Sequence, residues 1–449
     1  MKAEANDLTT GVVWKKLLNF FFPILVGLLF QQLYNTADAV IVGHFLGDSA
    51  LAAVGGSVST IVNLVLGFFT GLNCGATVLI SQYFGGNDPD KLSKALHSSA
   101  MFSIIVGITI TILGFFGAPA ALRIIKHPED IMADSTKYLR IYLTGSVPLL
   151  MYNLFQGTYQ AVGDSKQPLK YLIISCLINI VLDITFVGAF DWGVAGVGWA
   201  SVISMLVCCL LALINLSKVN APHRFDIKKL RLHFPTLKSY LRIGLPSGLQ
   251  SSMYSISNLI IQAAVNMLGT DIAAAWTATS KLDGFYWVTT NAFGIAICSF
   301  AGQCFGAGKI DRMKKGTRTC LGISLGATIM LSVVLMSIAR PAYRLFLKSD
   351  YVIDSAIEVM WYIVPFYAVW SYIEVLTGTL RGTGDTFIPM LIVMIGTCIF
   401  RVIWMFTVVP KWHTIPMISI VYFISWSITA IAFTIYFLRC RKREFQKVR

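Results

Sequence analysis

Nine long stretches of this chain contain no Asp, Glu, Lys or Arg: residues 17–37, 49–87, 95–122, 141–163, 192–217, 243–270, 284–308, 319–339 and 412–438. Each is long enough to cross the hydrocarbon core of a bilayer as a helix, which takes roughly 20 residues. Only 13% of the 449 residues are charged, against 56% hydrophobic. A water-soluble surface of this size needs roughly a quarter charged residues, so the surface faces lipid. The spans read 15–38, 53–80, 93–117, 136–160, 167–190, 194–216, 240–265, 277–300, 315–340, 352–378, 387–408 and 414–438. The expectation is an all-α membrane protein of twelve transmembrane helices.

The punctuation between these spans occurs twice. Gln82, Gly85, Gly163, Asp164 and Pro168 recur as Gln303, Gly306, Gly384, Asp385 and Pro389, each 221 positions later. Pro23 and Pro246 are 223 apart, Leu46-Gly47 and Leu268-Gly269 222 apart. Such constancy reads as a duplicated domain of about six helices. An even number of spans per half starts both halves on the same side, so the repeats are parallel, with the substrate pathway at their seam. The domains divide as an N-terminal six-helix lobe at 1–217, a basic linker at 218–239, a C-terminal six-helix lobe at 240–438 and a basic tail at 439–449. The turns at Gly85-Gly86-Asn87-Asp88-Pro89 and Gly306-Ala307-Gly308 are expected to use residues that tolerate positive φ. Pro23, inside the first span, removes a backbone hydrogen bond and is expected to bend it, making it a candidate hinge.

The net charge of +14 would suit nucleic acid in a soluble chain. Its placement argues otherwise. Lys218, Arg224, Lys228, Lys229, Arg231, Lys238 and Arg242 sit in the long central loop, Lys309 to Arg318 in another, and Arg439 to Arg449 in the tail. Counting helices in pairs puts all three on one side, and short basic loops stay cytoplasmic. Both termini are then inside, in a multi-pass protein of the cell's inner (plasma) membrane, with no cleaved signal peptide. The nine cysteines lie mostly in apolar segments, without metal-site company from His and Asp.

Ionisable groups within hydrocarbon mark function by default. Asp38 ends the run Gln31-Gln32-Leu33-Tyr34-Asn35-Thr36-Ala37-Asp38, where Tyr34 and Asn35 can share its face. Asp183 lies inside the fifth span, with Asn179 four residues earlier on the same face. Two carboxylates in a poorly hydrated cavity can take up and release a proton. With an Asn oxygen and a hydroxyl they also offer the hard ligands that Na⁺ prefers. The bland readings are a helix-end cap for Asp38 and a structural hydrogen bond for Asp183. The second half has Ile261 and Trp404 at the matching places, Arg401 nearby, and Lys281, Asp283, Glu358 and Glu374 of its own. Glu374 either draws a cationic substrate or neutralises Arg401. Gln31, Tyr34, Asn35, Tyr254, Asp283, Glu374 and Arg401 are the candidates for lining a substrate cavity. Rings such as Tyr254 would hold flat lipophilic cations.

These residues resemble the multidrug and toxic compound extrusion (MATE) transporters. The resemblance covers nearly the whole chain. It rests on Pro23 with Asp38, Gly47 to Ala53, Gln82-Tyr83-Phe84-Gly85 with Gln303-Cys304-Phe305-Gly306, Gln160 to Asp164 with Leu380 to Asp385, Asn179 with Asp183, and Gly193-Val194-Ala195-Gly196. It implies a V-shaped bundle of twelve helices that expels organic cations in exchange for H⁺ or Na⁺. It also implies a cation-coupling site of Asp38, Asn179, Asp183 and Ser201, the last where a Thr is common; with sodium coupling, Asp38, Asn179 and Asp183 would be its ligands. The family's second-half acidic site is not matched, since the seventh span offers only Asn258, Gln262 and Asn266.

The leading expectation is ion-coupled efflux of amphipathic, cationic small molecules by a monomer among membrane lipids, with no cofactor and no nucleic acid. A lipid-linked precursor flippase is the alternative, and a non-transporting scaffold a third. No nucleotide loop, metal triad or activated nucleophile supports an enzyme.

Overall fold

The computed structural model describes residues 7–345, 347–412 and 414–443. All regular structure among them is helical. In chain order the α-helices are α1 (Val13–Val54), α2 (Gly56–Gly85), α3 (Pro89–Ile124), α4 (Met132–Thr144), α5 (Ser146–Ala161), α6 (Lys166–Asp183), α7 (Val194–Lys218), α8 (Phe234–Asn266), α9 (Thr270–Gly306), α10 (Ile310–Arg344), α11 (Asp350–Ile363), α12 (Tyr367–Gly382), α13 (Phe387–Val393), α14 (Phe400–Thr407) and α15 (Ile415–Arg443). A π-helical turn, Ile184–Ala189, extends α6, and another, Met394–Ile399, joins α13 to α14.

Ten helical runs among the described residues are long and apolar enough to cross a membrane. The pair α4–α5 and helix α8 fall outside that set. The first pair breaks at Gly145 and carries Asp134, Lys137 and Arg140 in α4. Helix α8 is rich in serine and glutamine, with Ser247, Gln250, Ser251, Ser252, Ser255, Ser257 and Gln262. Several helices run past the apolar stretches. Helix α3 starts at Pro89, because Asp88 caps it by accepting from the Lys91 N–H at 3.0 Å and Pro89 has no amide to satisfy.

The chain forms two compact units. One contains Phe22–Gly248; the other contains Leu8–Phe21 together with the described residues from Leu249 onward. Both divisions fall inside helices, beside Pro23 in α1 and Pro246 in α8. Each unit is thus completed by a helix start from the other half of the sequence. In the first unit the start of α8 lies against α2 through Gly71, Gly75, Gly244 and Gly248. A Cβ on Gly71 would stand 2.6 Å from the Ser247 carbonyl oxygen, and one on Gly248 2.7 Å from that of Phe68. Only glycine permits backbones this close, the small-residue spacing of membrane helix pairs. Tyr240 Oη adds a hydrogen bond to Asn73 Oδ1 at 3.2 Å. In the second unit the matching contact is aromatic: Phe21 stacks on Phe293 with centroids 4.0 Å apart. There Arg312 grips the segment before α1, donating to the Leu8, Thr10 and Gly11 carbonyls at 2.6–3.1 Å, and Leu8 N–H donates to Gln303 Oε1 at 3.0 Å.

The repeated punctuation folds alike in both copies. After α2 the N–H groups of Gly86, Asn87 and Asp88 donate to the carbonyls of Gln82, Phe84 and Tyr83; after α9 those of Ala307, Gly308 and Lys309 donate to Gln303, Phe305 and Cys304. The left-handed residue is Asn87 (φ 54°) in one copy and Gly308 (φ 68°) in the other. Each lies within the turn expected to hold such a residue, while Gly86 stays right-handed at φ −75°. Asn87 takes the role in its copy because asparagine tolerates that region. Gly163 (φ 83°) and Gly384 (φ 88°) are equivalent. Helix α1 continues through Pro23, and the residue of non-helical φ and ψ within it is Gly47.

Candidate functional site

Within the first unit the polar residues picked out by the sequence meet. Asn179 and Asp183, four residues apart, project from one face of α6 and are both 0% exposed. Asp38 of α1 lies within electrostatic reach of Asp183. Ser201 of α7 is buried and accepts a hydrogen bond from Tyr34 Oη at 3.3 Å. Helices α6 and α7 come close enough for this through the turn between them: Gly193 takes φ +58°, and a Cβ on Gly196 would press on Phe186 at 3.1 Å. Ser175 Oγ donates to the Ser204 carbonyl at 2.8 Å and ties the two helices below the site. The π turn begins immediately after Asp183, a departure from α geometry often found at functional positions.

The electrostatics of this cluster are unusual. Asp38 Oδ1, both oxygens of Asp183 and both polar atoms of the Asn179 amide are buried without a hydrogen-bond partner among the described residues. Each such atom costs about 1–3 kcal/mol, and groups left this way in a native fold call for an explanation. Hydroxyls of Tyr34, Tyr138 and Tyr142 lie within electrostatic reach of Asp38. Tyr138 and Tyr142 did not emerge from the sequence reading, although their spacing of four places them on one face of α4. Gln31 and Asn35, expected to line a cavity, are exposed positions of α1. The oxygen-rich set of two carboxylates, one amide and two hydroxyls suits a proton or a hard monovalent cation. Among the described residues no three His, Cys, Asp or Glu side chains converge as a metal cluster.

The second unit holds a cavity of about 530 Å³ lined by Tyr254, Asp283, Glu374 and Arg401, so four of the expected lining residues gather here. Asn258 and Gln262 of α8 and the rings of Trp276, Trp287, Trp370 and Tyr422 also face it. Tyr367 Oη donates to Asp283, and Tyr286, stacked on Tyr367 at 3.7 Å, donates to the Tyr367 carbonyl at 2.8 Å. Arg401 is 2% exposed. Its Nε donates to Ser425 Oγ at 3.0 Å, and its guanidinium lies 4.0 Å from the Tyr422 ring centroid and 5.5 Å from that of Trp426. No ion pair joins Arg401 to Glu374 or Asp283. Neutralisation by Glu374, one of the two roles weighed for that residue, is therefore not what holds this guanidinium.

A family model described as MatE matches the chain twice, over residues 23–185 and 246–407, together well over half its length. The chain belongs to the MatE family. This MATE chain is accordingly a multi-pass membrane transporter, and not an enzyme. It is similar to the probable multidrug resistance protein YpnP of Bacillus subtilis (strain 168), 28% identical over 401 residues that cover 89% of each chain. The probable multidrug resistance protein YoeA of the same organism is 25% identical over 387 residues, covering 85% of this chain and 83% of that one. In fold, the chain matches a solved structure described as the outward-facing conformation of a multidrug resistance MATE family transporter of the MOP superfamily. The TM-score is 0.91, with 98% of both chains covered at 21% identity.

Proposed function

We propose that this MATE protein exports amphipathic, cationic small molecules in exchange for inward flow of H⁺ or Na⁺, with Asp38, Asn179, Asp183 and Ser201 as the coupling site. The observation that carries this reading is the cluster of five buried polar atoms on Asp38, Asn179 and Asp183 that have no hydrogen-bond partner among the described residues. Such a cluster is stable only when its charge is neutralised, and a proton or Na⁺ does that. Ion arrival at the Asp38–Asp183 pair then favours one conformation and departure the other, so an ion gradient drives the cycle. Pro23 serves as the pivot of α1, a role supported by the division between the compact units one residue before it. Architecture supports twelve spans in two parallel repeats: the turns recur with the same hydrogen bonds, and the family model matches two segments. The lobes are 1–217 and 240–438, joined by the 218–239 linker, with linker and basic tail cytoplasmic in a plasma-membrane protein that works as a monomer.

The test is uptake of a fluorescent lipophilic cation into inside-out vesicles, the movement that corresponds to export from the cell, energised by a pH gradient or by a Na⁺ gradient separately. One gradient is expected to drive export. Asp183→Asn should abolish that gradient dependence while the purified protein still elutes as a folded species. Gradient-driven export that survives in this variant sinks the assignment of the site.

A further inference from the structure

The duplication makes one pair of grooves directly comparable. In the first unit the linker passes the first turns of α3, and the His233 N–H donates to Ser98 Oγ at 3.1 Å, joining the two segments. The repeat offset carries His233 to Val12, Ser98 to Thr319, Pro235 to Trp14 and Lys94 to Lys315. In the second unit these four counterparts line a cavity of about 530 Å³ between the segment entering α1 and the first turns of α10. A groove that a hydrogen bond closes in the first copy is therefore open in the second.

The open copy is cationic. Arg312, on its wall, donates only to the carbonyls of Leu8, Thr10 and Gly11, and neighbouring Lys309 Nζ donates to the Thr9 carbonyl and hydroxyl at 3.0 Å. Those acceptors are neutral, so they leave both charges uncancelled. Lys315, and Lys15 lying 5.5 Å from the Trp14 ring centroid, form no ion pair among the described residues. Asp311, the acid on the same wall, is engaged by Lys314 at 3.4 Å. The rim is apolar, with Val12 53% and Trp14 50% exposed. Beyond the cavity begin the uncharged runs 17–37 and 319–339. That sets it at the level of lipid headgroups, where tryptophan is enriched and each Lys or Arg favours anionic lipid by about fivefold.

We propose that this cavity seats the headgroup of an acidic phospholipid from the leaflet that faces the basic loops. Lys315 binds the phosphate, Arg312 adds uncancelled charge, and Val12 and Trp14 pack on the upper acyl chain. The apolar rim selects a lipid over free phosphate, which has no chain to cover it. The proposal is independent of the export reading, because binding needs no gradient. For the test, full-length protein stripped of lipid in detergent is titrated with phosphatidylglycerol or with phosphatidylcholine of the same acyl chains. Native mass spectrometry reads the bound fraction. The wild type is expected to hold phosphatidylglycerol about tenfold more tightly, and Lys315→Gln to cut that preference to about twofold. Unchanged phosphatidylcholine binding in this variant reports an intact fold. Lys94→Gln, which removes the counterpart charge beside the closed groove, should leave the preference at the wild-type value. Equal retention of the two lipids, a full preference that persists in Lys315→Gln, or an equal loss in Lys94→Gln overturns the proposal. So does displacement of phosphatidylglycerol by inorganic phosphate at matching concentration, which would assign the cavity to the free anion.

Discussion

At the scale of single residues, the first unit keeps a destabilising feature at its centre. Asp183 is 0% exposed, and neither of its oxygens has a hydrogen-bond partner among the described residues. Replacing a buried, unpaired polar group with an apolar one of similar size removes its desolvation cost and is commonly stabilising. Asp183→Leu is therefore expected to raise resistance to thermal unfolding in detergent by about 1–3 kcal/mol, while ending coupled export. A drop in stability measured by thermal scanning would show that the carboxyl is a structural hydrogen-bonding group instead. Arg401 differs in kind. Two aromatic rings and a serine hydroxyl already support its cation, so its removal leaves a packing defect as well as a lost charge.

Among the elements, the exchange of helix starts makes the α2–α8 contact a place where one methyl group decides stability. A Cβ at Gly71 meets the backbone of Ser247 and Gly248 at 2.6–2.8 Å, and backbone cannot rotate away. Gly71→Ala should destabilise the first unit by about 1–3 kcal/mol through overpacking, whereas Gly67→Ala, one turn earlier with nothing within 4 Å, should not. Comparing the melting of the two variants separates a tight crossing from a general glycine effect. The linker offers a second test. Phe225 is buried against His97 and Phe155, and nearby His223, with its Nδ1 unpartnered, has its pKa lowered by burial, opposed by the neighbouring charge of Asp164. A histidine with a lowered folded pKa binds its proton less readily when docked. The docked linker thus has its full stability above the ordinary histidine range, about 6.5, and loses stability as pH falls below it. Hydrogen exchange at 219–229 should quicken on acidification, and His223→Asn should weaken the effect, the remainder falling to His97, whose Nε2 accepts the Asp226 N–H at 2.9 Å; protection that ignores pH contradicts it.

For the whole molecule, the sequence shows its solvent and its duplication more fully than its sites. Uncharged runs place most helices because a bilayer tolerates nothing else of that length, and the 221-residue offset lands on turns with the same hydrogen bonds. Three features escape a pattern of hydropathy. The break at Gly145 falls inside a continuous apolar run, the glycine crossing of α2 with α8 depends on which faces meet, and the tyrosines near Asp38 come from α4, distant in sequence. Asp38, Asn179 and Asp183 were legible because charge or its spacing stands out against lipid, and Ser201 only through the family resemblance; Arg401 was legible as a residue but not as an unpaired one, since pairing belongs to packing. Orientation follows from the loops. Lys228, exposed in the basic linker, and Glu129, exposed between α3 and α4, lie on opposite sides if each helical run of the first unit crosses once, counting α4–α5 as one. With all nine cysteines replaced, a membrane-impermeant maleimide applied to intact cells should label Glu129→Cys at once and Lys228→Cys only after permeabilisation. The positive-inside bias predicts this direction because Lys and Arg in short loops resist translocation. Labelling of Lys228→Cys in intact cells would invert the protein in the membrane and turn the proposed export into uptake, whereas labelling of both sites from outside would mean that one of the runs does not cross, removing the even count on which the parallel repeats depend.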